Sequence, residues 1–180
     1  MKYKLQCPVC KKSYEDNYLR TCPSCTKKLG LLRTIYNEKR FNRQPNDGIW
    51  KFVDWLPVQK TIPIEGTIKV YKSKNFAHEI GLDNLYIAFN GYFPEINATL
   101  KTGTFKELEA PPTIARAKDN NITHLVLASA GNTGRSFAYL ATLTDFEIIL
   151  IIPPDAIDKI WIPTDAEPEK INLIVVKGNK

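Results

Sequence analysis

Apolar residues change their spacing twice along the chain. Over residues 1–30 they are few and scattered among lysines and turn formers. Residues 31–60 hold LLRTIY and then IWKFVDWLPV, where Trp50, Phe52, Trp55 and Leu56 make a candidate packing cluster tying the front of the chain to its body. From about Thr61, TIPIEGTIKVY reads as extended, KNFAHEIGL as a short helix, and DNLYIAFNGYF as a strand running into a turn. TGTFKELEA opens a helical segment that Pro111 and Pro112 must interrupt or restart, because a mid-helix proline loses a hydrogen bond and clashes with the preceding turn. Pro112 suits the first turn of a new helix through PTIARAKDN.

Two largely apolar runs follow, HLVLAS and FEIILII, of the kind found in strands buried on both faces. Between them lie a turn, AGNTG, and a helical stretch, RSFAYLATL, so the unit has the length of a βαβ crossover. A further helical piece, DAIDKIWI, and a third strand, INLIVV, extend the pattern. The expected fold class is therefore α/β: an incomplete parallel sheet with helical crossovers, covered on both faces, with its βαβ core over about 123–176. Two units are expected, a front module over 1–30 and the α/β region over 31–180.

The front module cannot bury enough apolar surface to fold unaided, and its four cysteines supply a remedy. Cys7, Cys10, Cys22 and Cys25 form two C-x2-C pairs, each presenting two thiolates to one ion, so a structural zinc site is the first reading. With all four positions filled by sulfur, no place remains for a reactive water, and the site carries no catalytic role. Redox-active CxxC pairs and an iron site of the same geometry are the rivals. No apolar run is long enough to cross a bilayer and the start has no secretory pattern, which places the chain in the cytoplasm, where thiols stay reduced.

Charge changes this picture only slightly. Residues 1–45 carry eleven Lys and Arg against three acids, and the rest of the chain fourteen against sixteen. Four thiolates around a dication add about two negative charges, offsetting much of the basic excess. Nucleic-acid binding is thus the weaker reading of the front end.

The second chemical signal is SAGNTG, Ser129 to Gly134, between a strand end and a helix start. A glycine-containing turn there exposes backbone N–H groups, and the helix amino terminus favours an anion. Asn132 offers an amide, Ser129 and Thr133 offer hydroxyls, and Gly131 lets the backbone approach a ligand closely. A plain strand-to-helix turn capped near Thr133 accounts for the same letters.

TGTFKELEA followed by SAGNTG resembles the pyridoxal-phosphate enzymes of fold type II, the class of threonine synthase and cysteine synthase. The cysteine-containing front end, LLRTIY, GIWKFVDWLPV, IGLDNLYIAFNGYFPE, TFKELEAPP and LASAGNTGRSFAY occur in the order seen in the cysteate synthase family, and FKELEA in place of the widespread FKDRG favours that family over threonine synthase proper. The resemblance implies pyridoxal phosphate held as a Schiff base on Lys106, the catalytic residue, with Asn132 at the cofactor's ring oxygen. It also implies a substrate carboxylate held by Ser129, Gly131 and Thr133, and replacement of the phosphate of O-phosphoserine by sulfite to give cysteate, a step towards coenzyme M. Thr104 stands where many relatives have serine, and no second glycine-rich loop for the cofactor phosphate follows Gly134, so the expectation is an amino-terminal part of a longer enzyme. Threonine synthase chemistry on O-phosphohomoserine, an inactive fragment and a zinc-ribbon nucleic-acid binder stay open as alternatives. The partners expected are small-molecule substrates and no membrane, with a homo-oligomer compatible.

Overall fold

The computed structural model describes residues 2–26, 29–45, 48–64, 66–161 and 167–177. The front of the chain forms a small antiparallel sheet. Its strands are β1 (Tyr3–Gln6), β2 (Ser13–Tyr14) and β3 (Arg33–Tyr36), with β1 in the centre. The third strand lies past residue 30, in the LLRTIY run, so the sheet takes in both cysteine knuckles and closes behind them. Alternation along β1 buries Tyr3 and Leu5 and turns Lys4 outward.

A 3-10 stretch over Gly48–Trp55 follows. Of its expected packing cluster, Trp50 and Leu56 join the main core, whereas Phe52 stays largely exposed and stacks on Phe41 at 5.1 Å, with Trp55 at 5.5 Å from the same ring. Of TIPIEGTIKVY only β4 (Lys69–Lys72) is a strand, while Ile62 and Ile64 are core residues in irregular backbone. The short helix α1 (Asn75–Glu79) and strand β5 (Tyr86–Phe89) stand where expected, β5 pairing antiparallel with β4. A second small pair joins β6 (Tyr92–Phe93) to β7 (Ala98–Thr99).

Lys106 lies on a 3-10 turn, Phe105–Leu108, capped by the Thr104 hydroxyl, which accepts from the Lys106 amide. Helix α2 (Ala110–Asp119) restarts immediately, with Pro111 and Pro112 in its first turn, where N–H groups have no intrahelical partner. The βαβ unit is then β8 (His124–Leu127), α3 (Asn132–Thr142) and β9 (Glu147–Ile152), and β10 (Ile171–Val175) completes a three-stranded parallel sheet in the order β10-β9-β8. DAIDKIWI forms a 3-10 helix only over Pro154–Lys159, and its Ile162 falls outside the described residues.

Helix α3 is buried nearly all round because it has the sheet on one side and both α2 and the Lys106 turn on the other. Ile148, Leu150 and Ile152 alternate onto one buried face of β9. The opposite face corrects the expectation of a sheet covered twice. Val126 on β8 is 56% exposed and Ile174 on β10 47%, and β10 also exposes Leu173 and Val175 on its other face, so the sheet is covered on one face over β8 and β9 and on neither along β10. No described helix is long and apolar enough to cross a membrane.

Candidate functional site

The four cysteines converge. Their sulfurs all lie within 4.8 Å of one another, with Cys7 Sγ 3.8 Å from Cys25 Sγ and Cys10 Sγ 3.6 Å from Cys22 Sγ. A tetrahedron with metal–sulfur bonds of about 2.3 Å has edges of about 3.8 Å, so the cage has the dimensions of an S₄ metal site. Local backbone explains the convergence. The Cys7 amide donates to the Lys12 carbonyl and the Lys11 amide to the Cys7 carbonyl, with Lys11 in the left-handed region at φ 62°; the second knuckle closes through the Cys25 amide on the Cys22 carbonyl. Gly30 seals the cage: a Cβ there would lie 3.0 Å from Cys22 Cβ and 3.1 Å from Cys7 Sγ.

Proton affinities within the cage are split. Backbone donation from Cys10 holds the Cys7 thiol below its ordinary value. Burial raises that of Cys22, but the Tyr14 hydroxyl and the Ser24 amide outweigh it and bring the thiol down to about 6. Burial and the neighbouring sulfurs push Cys25 up to about 12. Four crowded thiols sharing protons in this way are what a cation would convert to four thiolates.

An ion-pair cluster joins this module to the body. Arg116 on α2 donates to both carboxylate oxygens of Asp16, at 2.6 and 2.7 Å, to the Tyr3 hydroxyl at 2.8 Å and to the Pro57 carbonyl at 3.0 Å. Tyr18 places its ring under the guanidinium, and Tyr3 donates its hydroxyl to Asp16. Arg116 holds the Asp16 carboxyl below its ordinary value, against the opposing effect of burial. A cavity of about 590 Å³ beside the cluster is lined by Lys2, Tyr3, Asp16, Pro57 and Arg116, among others, and by none of the sequence-predicted site residues.

On the body, Ser129 organises its own loop: its hydroxyl accepts from the Gly134 amide at 3.1 Å and from the Gly131 amide at 3.4 Å. Gly134 is indispensable there, since a Cβ would stand 2.1 Å from the Ser129 carbonyl oxygen. Helix α3 starts at Asn132, earlier than RSFAYLATL suggests, so Asn132 and Thr133 occupy its first turn and Gly131 its cap. Gly131 faces open space and Asn132 is exposed.

The Lys106 turn packs directly against α3, which brings the two motifs onto adjoining elements, although no hydrogen bond joins Lys106 to Asn132 among the described residues. Lys106 Nζ instead donates to Glu109 Oε2 at 2.6 Å. Beneath the turn, the buried Glu107 carboxylate accepts from the amide and hydroxyl of Thr102, both at 2.7 Å, and the Thr102 hydroxyl lies 3.3 Å from Ser136 Oγ on α3. Burial raises the proton affinity of Glu107, and the Thr102 and Lys101 donors oppose it. These polar residues fix the height of the Lys106 turn over the helix. None was singled out from sequence; the one available signal was the position of Glu107 beside the lysine.

No family model matches the chain. Comparison with curated proteins finds cysteate synthases. That of Methanocella arvoryzae is 45% identical over 176 residues, covering 98% of this chain and 41% of the relative. Those of Methanocella paludicola and Methanosarcina barkeri are 41% and 42% identical, over 98% and 96% of this chain and 41% and 40% of the relatives. The chain is thus homologous to the amino-terminal portion of cysteate synthases and spans about two-fifths of their length.

Proposed function

We propose that this homologue of the amino-terminal portion of cysteate synthases is the lysine-bearing part of a pyridoxal-phosphate enzyme of fold type II, which replaces the phosphate of O-phosphoserine by sulfite. The observation that carries the reading is the packing of the Lys106 turn against the helix that SAGNTG opens, in a chain with this kinship. The residues present fit the cofactor: an amine, an exposed amide at a helix start and a glycine with open space beside it. Pyridoxal phosphate, when bound, supplies an electron sink for the α-carbon.

Lys106 would hold the cofactor covalently and, once displaced by the substrate amine, take the proton from the α-carbon. To do so its Nζ must leave Glu109. Asn132 would donate its side-chain amide to the cofactor ring oxygen. Thr133 and the Gly131 backbone would hold the substrate carboxylate, with Ser129 keeping the loop in shape through the hydrogen bonds it already makes. Overall the C–O bond to phosphate breaks with its electron pair on oxygen, and the sulfur lone pair of sulfite forms the new C–S bond. The cysteine module, read as a unit over 1–30 ahead of the α/β region over 31–180, would hold one structural zinc on Cys7, Cys10, Cys22 and Cys25.

Borohydride trapping at limiting pyridoxal phosphate, followed by peptide mapping, is expected to label Lys106 ahead of every other lysine. Label spread over the other lysines refutes the assignment. Competition between O-phosphoserine and O-phosphohomoserine for the trapped site then separates cysteate synthase from threonine synthase chemistry.

A further inference from the structure

Two arginines lie on the helices around the Lys106 turn, and they differ in how their charge is met. Arg116 on α2 has a carboxylate, a hydroxyl and a carbonyl, all within 3.0 Å. Arg135 on α3 has no acidic partner among the described residues. Its Nη1 reaches the Thr102 carbonyl only at 3.5 Å, the outer limit of a hydrogen bond, and its Nε is buried without any acceptor. Partial burial also holds its proton affinity below the usual arginine value, with no counter-charge beside it among the described residues. A buried N–H of a charged group left without an acceptor is costly, and in native proteins such donors call for an explanation.

The position of Arg135 suggests what is missing. Its backbone amide donates to the Gly131 carbonyl, within SAGNTG, and its side chain reaches Thr102, four residues before Lys106. It therefore bridges the two motifs that carry the proposed chemistry. Trp161 lies against the guanidinium with its ring centroid 4.3 Å from Cζ, a contact that restrains the fork and supplies no acceptor. A planar fork oriented by an aromatic ring suits an oxyanion with two or three coplanar or tetrahedral oxygens.

We propose that Arg135, oriented by Trp161, is the binding site for the oxyanion exchanged at the substrate's β-carbon, a phosphate monoester on departure and sulfite on arrival. The assignment rests on the enzyme reading above and deepens it. The SAGNTG loop serves the carboxylate, and the residue immediately after it serves the second anion. A phosphate monoester already carries charge for the fork to meet in the bound substrate, whereas an acyl ester carries none until it departs, so the site favours binding of the phosphorylated substrate.

The test follows the indole N–H signal of Trp161 by NMR in the cofactor-free chain, assigned by its loss in Trp161→Phe. Titration with inorganic phosphate and with sulfite should move that signal saturably, with chloride at equal ionic strength giving no saturable shift. Arg135→Gln should weaken both anions about tenfold or more, and Arg135→Lys, which keeps the charge and loses the fork, should fall between; the Trp50 indole signal, in the core, reports that each variant is folded. Unchanged anion affinity in Arg135→Gln, or in Arg135→Lys should the glutamine variant not fold, overturns the proposal. A second arm repeats the sulfite titration after the cofactor has been fixed to Lys106 by borohydride. Retained sulfite binding assigns the site to the substrate side, and lost binding assigns Arg135 to the cofactor phosphate and overturns the proposal. Label on Lys106 without an anion response removes the anion site alone, whereas an anion response without label on Lys106 removes the enzyme reading and keeps the site.

Discussion

A single methyl group on Gly30 would press on Cys22 and Cys7 at once, so the sulfur cage tolerates no bulk where the chain leaves the second knuckle. The cage therefore depends on ligand number as much as on shape. Replacing Cys22 by serine removes the thiolate that the Tyr14 hydroxyl and the Ser24 amide favour. The expected outcome is a fall from about one zinc per chain to far below it on metal analysis, with loosening confined to the front sheet. Full metal retention in that variant removes the zinc assignment. The ligands were legible because C-x2-C spacing is local, each pair fixing its own turn. Gly30 and Arg135 were not, since what matters at each is an atom from a distant part of the chain. Asn132 was named for its amide, but its place inside the first helical turn was missed because GNTG reads as turn chemistry until the helix is seen to begin within it.

At the scale of elements, α2 is held from two ends. Its first turn continues from Lys106, and its second buries Arg116 against Asp16, with side chains 22% and 13% exposed. The pairing makes stability depend on acid. Asp16 has its folded-state proton affinity depressed below the ordinary value of 3.8, so its contribution is complete above that value and is lost as pH falls through the depressed one. Asp16→Asn should cost about 1–2 kcal/mol in urea unfolding at pH 6, and the difference from the parent should shrink as the pH falls below 3.8. A constant difference across that range means the carboxylate charge is not what Arg116 uses. Sequence reading placed the tie between module and body in the aromatic cluster around Trp50. Trp50 does enter the core, but Phe52 and Trp55 settle with Phe41, and module and body are joined by Lys2 donating to the Val53 and Val58 carbonyls and by an ion pair that no local pattern marks. The proline-restarted α2 and the βαβ order were legible because helix-start chemistry and apolar run length are properties of neighbouring residues.

At the largest scale, the parallel sheet exposes Val126 on β8 and Leu173, Ile174 and Val175 on β10, and leaves β10 at an edge. Apolar surface and unpaired strand edge together favour association. The chain is expected to self-associate as its concentration rises, seen by sedimentation velocity, and Ile174→Lys should shift it towards the monomer without lowering metal content. A monomer at all concentrations refutes this. The run INLIVV, apolar at every position but Asn172, is read from sequence as a strand that ends the sheet with an uncovered apolar surface, and β10 is exposed on both faces over residues 172–175.

The pairing of Asp16 with Arg116 spans 100 positions of the chain, and this has a consequence for how the protein is made. At synthesis rates of about 5–20 residues per second, the segment carrying Asp16 emerges roughly 5–20 seconds before the guanidinium that will anchor it. Two of the four cysteines precede Asp16 and two follow it within nine residues, so the whole ligand set is available during that interval. With the metal proposed for the cage, the expected order of biogenesis is metal capture first, by a nascent segment not yet anchored by Arg116, and docking second, as an already cross-braced piece.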